Sequence, residues 1–224
     1  MAKTKIELFE DSLIEEGLSD EKLDEFEKLL KRAGSDWNRI QHCFITADHF
    51  PVSRLDEAVK LIEFGVDRYK SSKSGLIRSY QMLGSIYRRA GLYQKAYDVY
   101  TDIYPDIGNF RGEYPWCLLD TKMHADNFDY SPELEEYFLL CQKESSFAKS
   151  FVDHEFVLAL ANFIVADHYS NSSEKDKAYA TIVQILQPDY TGPLYTILKK
   201  HRYEEKLNLT NECLAFLEKI SVEQ

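Results

Sequence analysis

Apolar residues recur along most of this chain at intervals of three and four, the period of a helix with one buried face. Residues 5–16 place Ile6, Phe9, Leu13 and Ile14 on one side, and Gly17 is suited to end that helix. Ser19 or Asp20 can cap the next, where Leu23, Phe26, Leu30 and Ala33 line up before Gly34. Trp37, Ile40, Phe44 and Ala47 form a third stripe, stopped by Pro51. Ser53 is placed to cap a fourth helix, whose inward face carries Leu55, Ala58, Val59, Ile62, Val66 and Tyr69. A polar loop, residues 71–75, leads into the densest pattern, Tyr80 to Tyr100. There Tyr80, Leu83 and Tyr87 share one face, Gly91 ends the helix, and Tyr93, Ala96, Val99 and Tyr100 make the matching face of a second helix folded back on it. Gly84 and Ala96, small among large residues, are placed to let the two backbones approach closely.

The pattern breaks at 105–115, PDIGNFRGEYP, a connector without periodicity. A helix over 116–127 follows, and Ser131-Pro132-Glu133 is a strong start for the next, with Leu134, Tyr137, Phe138 and Cys141 on its face. Asp153 is placed to cap a helix running to Tyr169 that is apolar on most sides and therefore belongs in the interior. After Asn171-Ser172-Ser173, Ala178, Ile182, Ile185 and Leu186 define another helix, ending before Pro188. Residues 195–201 have helical character, and 204–220 carry Leu207, Leu214, Leu217 and Ile220. The total is about twelve helices, or six antiparallel pairs, an all-α layered architecture.

A single helix hairpin cannot bury both of its faces, so neighbours of the same kind should flank it. Tyr80, Leu83, Gly84, Tyr87, Ala96 and Tyr100, with Gly91 and Tyr93 at the turn, resemble the tetratricopeptide repeat: a large aromatic, Leu-Gly and Tyr in the first helix, then Ala and an aromatic in the second. The pairs at 39–70 and 159–188 match more loosely, with Thr46 and Ala166 where Gly84 stands, Ala58 and Ala178 in the role of Ala96, and Tyr169 in that of Tyr87. The pair at 115–145 has Lys122 in the glycine's place. The resemblance implies one continuous domain, a right-handed α-solenoid with degenerate repeats over 36–190, a capping pair at 1–35 and closing helices at 191–224. It also implies an extended groove lined by the first helix of each pair. Carried onto this sequence, the groove positions are Arg78, Gln81, Ser85 and Arg88, then Trp116, Leu119 and Met123, then Phe163 and Asp167. Gln81 and Ser85 stand where a carboxylate-clamping member of the family has Lys and Asn, so that clamp is not expected.

Charge narrows the partners. A net charge of −11 repels phosphate backbones and anionic lipid surfaces, which argues against nucleic acid and membrane and in favour of a basic protein or peptide. Cys43, Cys117, Cys141 and Cys213 are widely spaced on helices, with no C-x-x-C, and the first residues lack the apolar core of a signal peptide. A cytoplasmic protein with reduced thiols, monomeric or homodimeric and without a cofactor, is the expectation.

Two clusters could carry chemistry. His42, Cys43, Asp48 and His49 are close in sequence but lack the i, i+4 pairing typical of a helical metal site. Asp153, His154, Glu155, Asp167 and His168 could serve a helical enzyme or an enzyme's regulatory subunit, but His154 and His168 lie about 21 Å apart along a straight helix. Neither G-x-S-x-G nor G-x-x-x-x-G-K is present. The expectation is a non-enzymatic module that binds protein or peptide; the alternatives are the helical enzyme and a structural homodimer formed through the apolar ends.

Overall fold

The computed structural model describes residues 3–69, 73–103, 114–143, 152–187 and 211–222. Among them the regular elements are eleven α-helices and one 3₁₀ turn, without a strand. The helices are α1 (Lys5–Glu16), α2 (Asp20–Leu30), α3 (Asp36–His49), α4 (Leu55–Tyr69), α5 (Lys73–Arg89), α6 (Tyr93–Ile103), α7 (Tyr114–Ala125), α8 (Pro132–Lys143), α9 (Val152–His168), α10 (Ser172–Ile185) and α11 (Asn211–Val222). None of the described helices is long and apolar enough to cross a membrane. The segments 105–113, 195–201 and 204–210 lie outside the described residues.

Local chemistry sets most boundaries. Thr4 and Glu7 form a reciprocal capping box on α1, with the Thr4 N–H donating to Glu7 Oε2 at 2.6 Å and the Glu7 N–H to Thr4 Oγ1 at 3.3 Å. Ser19, Ser35 and Asn171 cap α2, α3 and α10, and Ser131 accepts from the Leu134 N–H at the start of α8. Each such cap is worth about 1 kcal/mol. Three boundaries differ from the sequence reading. α9 includes Val152, so Asp153 lies within the helix rather than capping it. Pro51 opens a 3₁₀ turn, Val52–Arg54, that runs directly into α4, so Ser53 lies inside a turn rather than capping a helix. α5 starts at Lys73, within the expected loop, because Ser74 and Gly75 fall in its first turn, where the N–H groups need no intrahelical partner.

The chain divides into two compact units, Met1–Ile107 and Gly108–Gln224. In the first, consecutive helices pack as the hairpins α1–α2, α3–α4 and α5–α6. The first helix of each also packs on the first helix of the next, α1 on α3 and α3 on α5. Leu13, Phe26, Leu30, Ile40, Leu61, Ile62 and Ile86 fill the interior at 0–1 % exposure. Each of these side chains contributes about 1.5–3 kcal/mol by leaving water.

Glycine marks a close approach in two hairpins, on opposite helices. A Cβ added to Gly84 of α5 would lie 2.6 Å from the Tyr100 ring of α6. In α3–α4 the glycine is Gly65, on the second helix, and an added Cβ would lie 2.8 Å from Cys43. That contact falls three residues before Thr46, the position aligned with Gly84 from sequence. The α3 stripe is rotated to match. Cys43 and Thr46 join Ile40 and Ala47 in the core, whereas Trp37 is 38 % exposed.

Arginines tie neighbouring hairpins together in this unit. The last carbonyls of a helix have no intrahelical donors. Arg54, just before α4, donates to Ile14 O at 2.7 Å and Leu13 O at 3.1 Å at the end of α1, and is held by Glu57 at 2.5 Å. Arg39 of α3 donates to Leu30 O at 3.1 Å and Gly34 O at 2.9 Å beyond α2. Arg89 reaches from α5 to Phe50 O at 2.6 Å, to Ala47 O at 3.3 Å and to Asp48 O. It thus closes the end of α3.

In the second unit α7 packs on α8 and α9, α8 on α9, and α9 on α10. α9 is buried around most of its circumference, with Phe156, Leu160, Ala161 and Phe163 at 0–2 % exposure. Tyr169, aligned from sequence with buried Tyr87, is instead 58 % exposed, and its hydroxyl donates to Glu135 at 2.9 Å. In α11 the buried side is Cys213, Phe216, Leu217 and Ile220, while Leu214 faces outward at 43 % exposure.

Gly84→Ala lowers the free energy of unfolding by about 1–3 kcal/mol through overpacking. Adding Tyr100→Leu recovers part of that loss, so a urea-denaturation double-mutant cycle yields a favourable coupling above about 0.5 kcal/mol. Arg89→Ala costs about 1.5–3 kcal/mol in the same assay. Arg89→Lys does not restore it, because an ammonium lacks the planar fork that reaches several carbonyls at once.

Candidate functional site

The outer sides of α1, α3 and α5 form the exposed layer of the first unit. On α3, Gln41 and Ile45 lie opposite Cys43, the residue that meets α4. Trp37 stands one turn before Gln41, which places Trp37, Gln41 and Ile45 at i, i+4 and i+8. Ile45 is 46 % exposed, and Leu8 on α1 is 57 % exposed. On α5, Ser85 is exposed, and Gln81 and Arg88 are half-buried. Both of the latter already have interaction partners. Arg78 belongs to α5, but its side chain lies outside the described residues. α3 packs on both α1 and α5. Trp37, Gln41 and Ile45 thus leave two large apolar groups and one amide exposed or half-buried along a single side of α3.

The second unit holds the other residues assigned to a groove, and it holds them differently. Trp116, Met123 and Phe163 are buried at 0–2 % exposure, and Leu119 is at 0 %. Asp167 is exposed and pairs with Lys175 at 2.6 Å. The Trp116 ring stacks on His154 at 4.9 Å, and its indole N–H finds no hydrogen-bond partner among the described residues. α11 covers part of this unit, at Phe128 and Phe163. The Phe216 ring stacks on Phe128, beyond α7, at 5.0 Å and meets Phe163 of α9 edge-on at 5.9 Å. Burial, reinforced by the nearby Asp120 carboxylate of α7, pushes the Cys213 thiol up to about 12. The sequence reading missed this cover because α11 follows a long segment without a clear pattern, and Leu214 drew the expected stripe onto the wrong face.

An open groove of about 240 Å³ lies on the same unit between α8, α9 and α10. Gln142, Glu155, Asn162, Lys177 and Thr181 line it over an apolar floor of Phe138, Ala159 and Ala178.

The candidate chemical residues are dispersed. His42 donates to Glu10 across α3 and α1 at 2.8 Å. Cys43 is buried against Gly65, and burial raises its thiol far above the ordinary range. Asp48 faces Arg89 at 3.7 Å, and His49 is exposed, its ring 2.6 Å from Ile45 O. His154 stacks on Trp116, while His168, fourteen residues on, stacks on Tyr130 at 3.5 Å, beside a Glu135 carboxylate that accepts from both Tyr130 and Tyr169. Those two hydroxyls hold Glu135 below its usual range. Among the described residues no group of three or more His, Cys, Asp or Glu is placed to hold a metal ion.

No family model matches the chain, no curated protein matches it, and no solved structure matches it.

The His42–Glu10 pair sets a pH dependence. The hydrogen bond to Glu10 raises His42 above 6.5 against the opposing effect of burial, and the charges of Glu10 and Glu7 add to the rise. A raised folded value means that the stabilisation is complete below the unfolded value and is lost as pH climbs through the folded one. The gap in melting temperature between wild type and His42→Gln is therefore widest below pH 6.5 and narrows at higher pH.

Proposed function

We propose that this chain is a tetratricopeptide-like α-solenoid module that binds a protein or peptide, without catalysing a reaction, along the first helices of its hairpins. The observation that carries this reading is the exposure of large apolar side chains on the first helices, Leu8 on α1 and Trp37 and Ile45 along one side of α3. Exposed Trp is an unusual expense for a surface with nothing to bind, and Trp is among the residues that dominate binding energy at interfaces. Within the first unit, the packing of α1 on α3 and of α3 on α5 supports the solenoid reading. The partner that suits the layer has apolar anchors for Trp37 and Ile45 and a carboxylate within reach of Arg88. A basic character elsewhere in it would complement the charge of −11. A reduced, cytoplasmic setting fits the four free cysteines.

The test is affinity capture from native cytosol, run in parallel with wild type, Trp37→Ala/Ile45→Ala and Arg88→Glu. Thermal denaturation of each variant beside wild type separates a loss of fold from a loss of binding. Retention of a bound protein falls at least about tenfold with the double variant, the loss expected when a hot-spot aromatic is removed. Equal retention by all three chains sinks the reading.

A further inference from the structure

α9 is buried around most of its circumference, yet Asn162 interrupts its apolar run. Half-buried, that residue lines the groove between α8, α9 and α10. Its amide makes no hydrogen bond to a described residue, and neither does that of Gln142 on α8. Core packing gives no reason for an amide here. Leu is the better helix former and would extend the floor of Phe138, Ala159 and Ala178.

The dimensions of the groove restrict what it holds. Glu155, Leu158, Ala159 and Asn162 stand at i, i+3, i+4 and i+7, so one side of α9 lines it over about 10 Å. About 240 Å³ spread over that length is a slot roughly 5 Å on a side. An extended chain is about that wide, whereas a helix with its side chains is about 10–12 Å across. The two ends carry opposite charge. Glu155 stands at one of them. The three-residue turn 169–171 folds α10 back along α9, so that Lys177, six residues after the turn, comes level with Asn162, seven before it. Lys177 pairs with Glu174 at 2.7 Å, but that pair is open to water and worth little.

We propose that this groove binds a three-residue extended segment of a peptide, with an apolar middle side chain on the floor, a basic residue towards Glu155 and an acidic one towards Lys177. Three extended residues span about 10 Å, the length available. Alternate side chains point to opposite faces, which seats the middle one and leaves the charged two at the rim. Asn162 and Gln142 each offer donors and an acceptor, the complement of the C=O and N–H of a peptide group. A free amino acid carries both of its charges on one carbon and cannot reach both ends. This site lies in the second unit and goes beyond the reading of the first-unit helices, so neither stands or falls with the other.

The probe is the blocked tripeptide acetyl-Lys-Leu-Glu-amide, titrated into the isotope-labelled full chain and followed by the shifts of its amide resonances. The shifts concentrate on Gln142, Asn162, Thr181 and their neighbours. Acetyl-Lys-Asp-Glu-amide, which sets a carboxylate on the apolar floor, binds at least about tenfold more weakly. Asn162→Leu separates a binding role from a structural one: affinity for the probe falls at least about tenfold, while the melting temperature rises by about 1–3 °C. Lys177→Glu weakens the probe in the same way, and acetyl-Lys-Leu-Lys-amide recovers the lost affinity in that variant. Absence of groove shifts at millimolar probe overturns the proposal, as does equal binding of the Asp-bearing peptide. A lower melting temperature on Asn162→Leu overturns it as well, since the amide is then part of the packing.

Discussion

The end of a helix leaves carbonyl groups without donors, and the first unit depends on how that need is met. Arg54, Arg39 and Arg89 each reach from one hairpin to close a helix of the preceding one, on Leu13 and Ile14, on Leu30 and Gly34, and on Ala47 and Phe50. The guanidinium suits the task because it is always charged and presents several donors in a fixed plane. A hydrophobic interface between hairpins tolerates sliding and rotation; a fork on named carbonyls does not. The arginines therefore fix the register in which α1, α3 and α5 present their outer sides, and the exposed layer with Trp37 and Ile45 is a consequence of that register.

Within the hairpins the constraint is steric. Gly84 receives the Tyr100 ring, and Gly65 receives Cys43, so two hairpins reach close packing with the glycine on opposite helices. The close approach is therefore marked by a glycine on the first helix of one hairpin and on the second helix of the other, so the two hairpins do not align residue for residue.

The all-helical character and most boundaries were legible because they rest on local chemistry: the Ser19, Ser35 and Ser131 caps, Gly17, and Pro132 at the first position of α8. Burial within a strongly periodic segment was legible too, as for Leu83, Tyr87 and Ala96. What escaped was information held between elements. Nothing near Arg89 in sequence marks Phe50 as its acceptor, thirty-nine residues earlier. Trp116, Met123 and Phe163 read from sequence as groove positions, yet they are buried in the second unit, Trp116 against His154 of α9 and Phe163 against Phe216 of α11. Periodicity identifies a helix and its apolar side, but not the partner of that side.

The burial of Cys213 has a practical consequence for α11. Thiols react with alkylating reagents as thiolates, so a group pushed up to about 12 is silent at neutral pH while the helix is seated. Only a local opening of α11 would bring that sulfur to water and restore ordinary reactivity. Cys43, sealed against Gly65 within the first unit, is a second buried thiol against which to compare it, while Cys117 is partly exposed. The relative labelling rates of these sulfurs therefore read out the local stability of the helices that hold them.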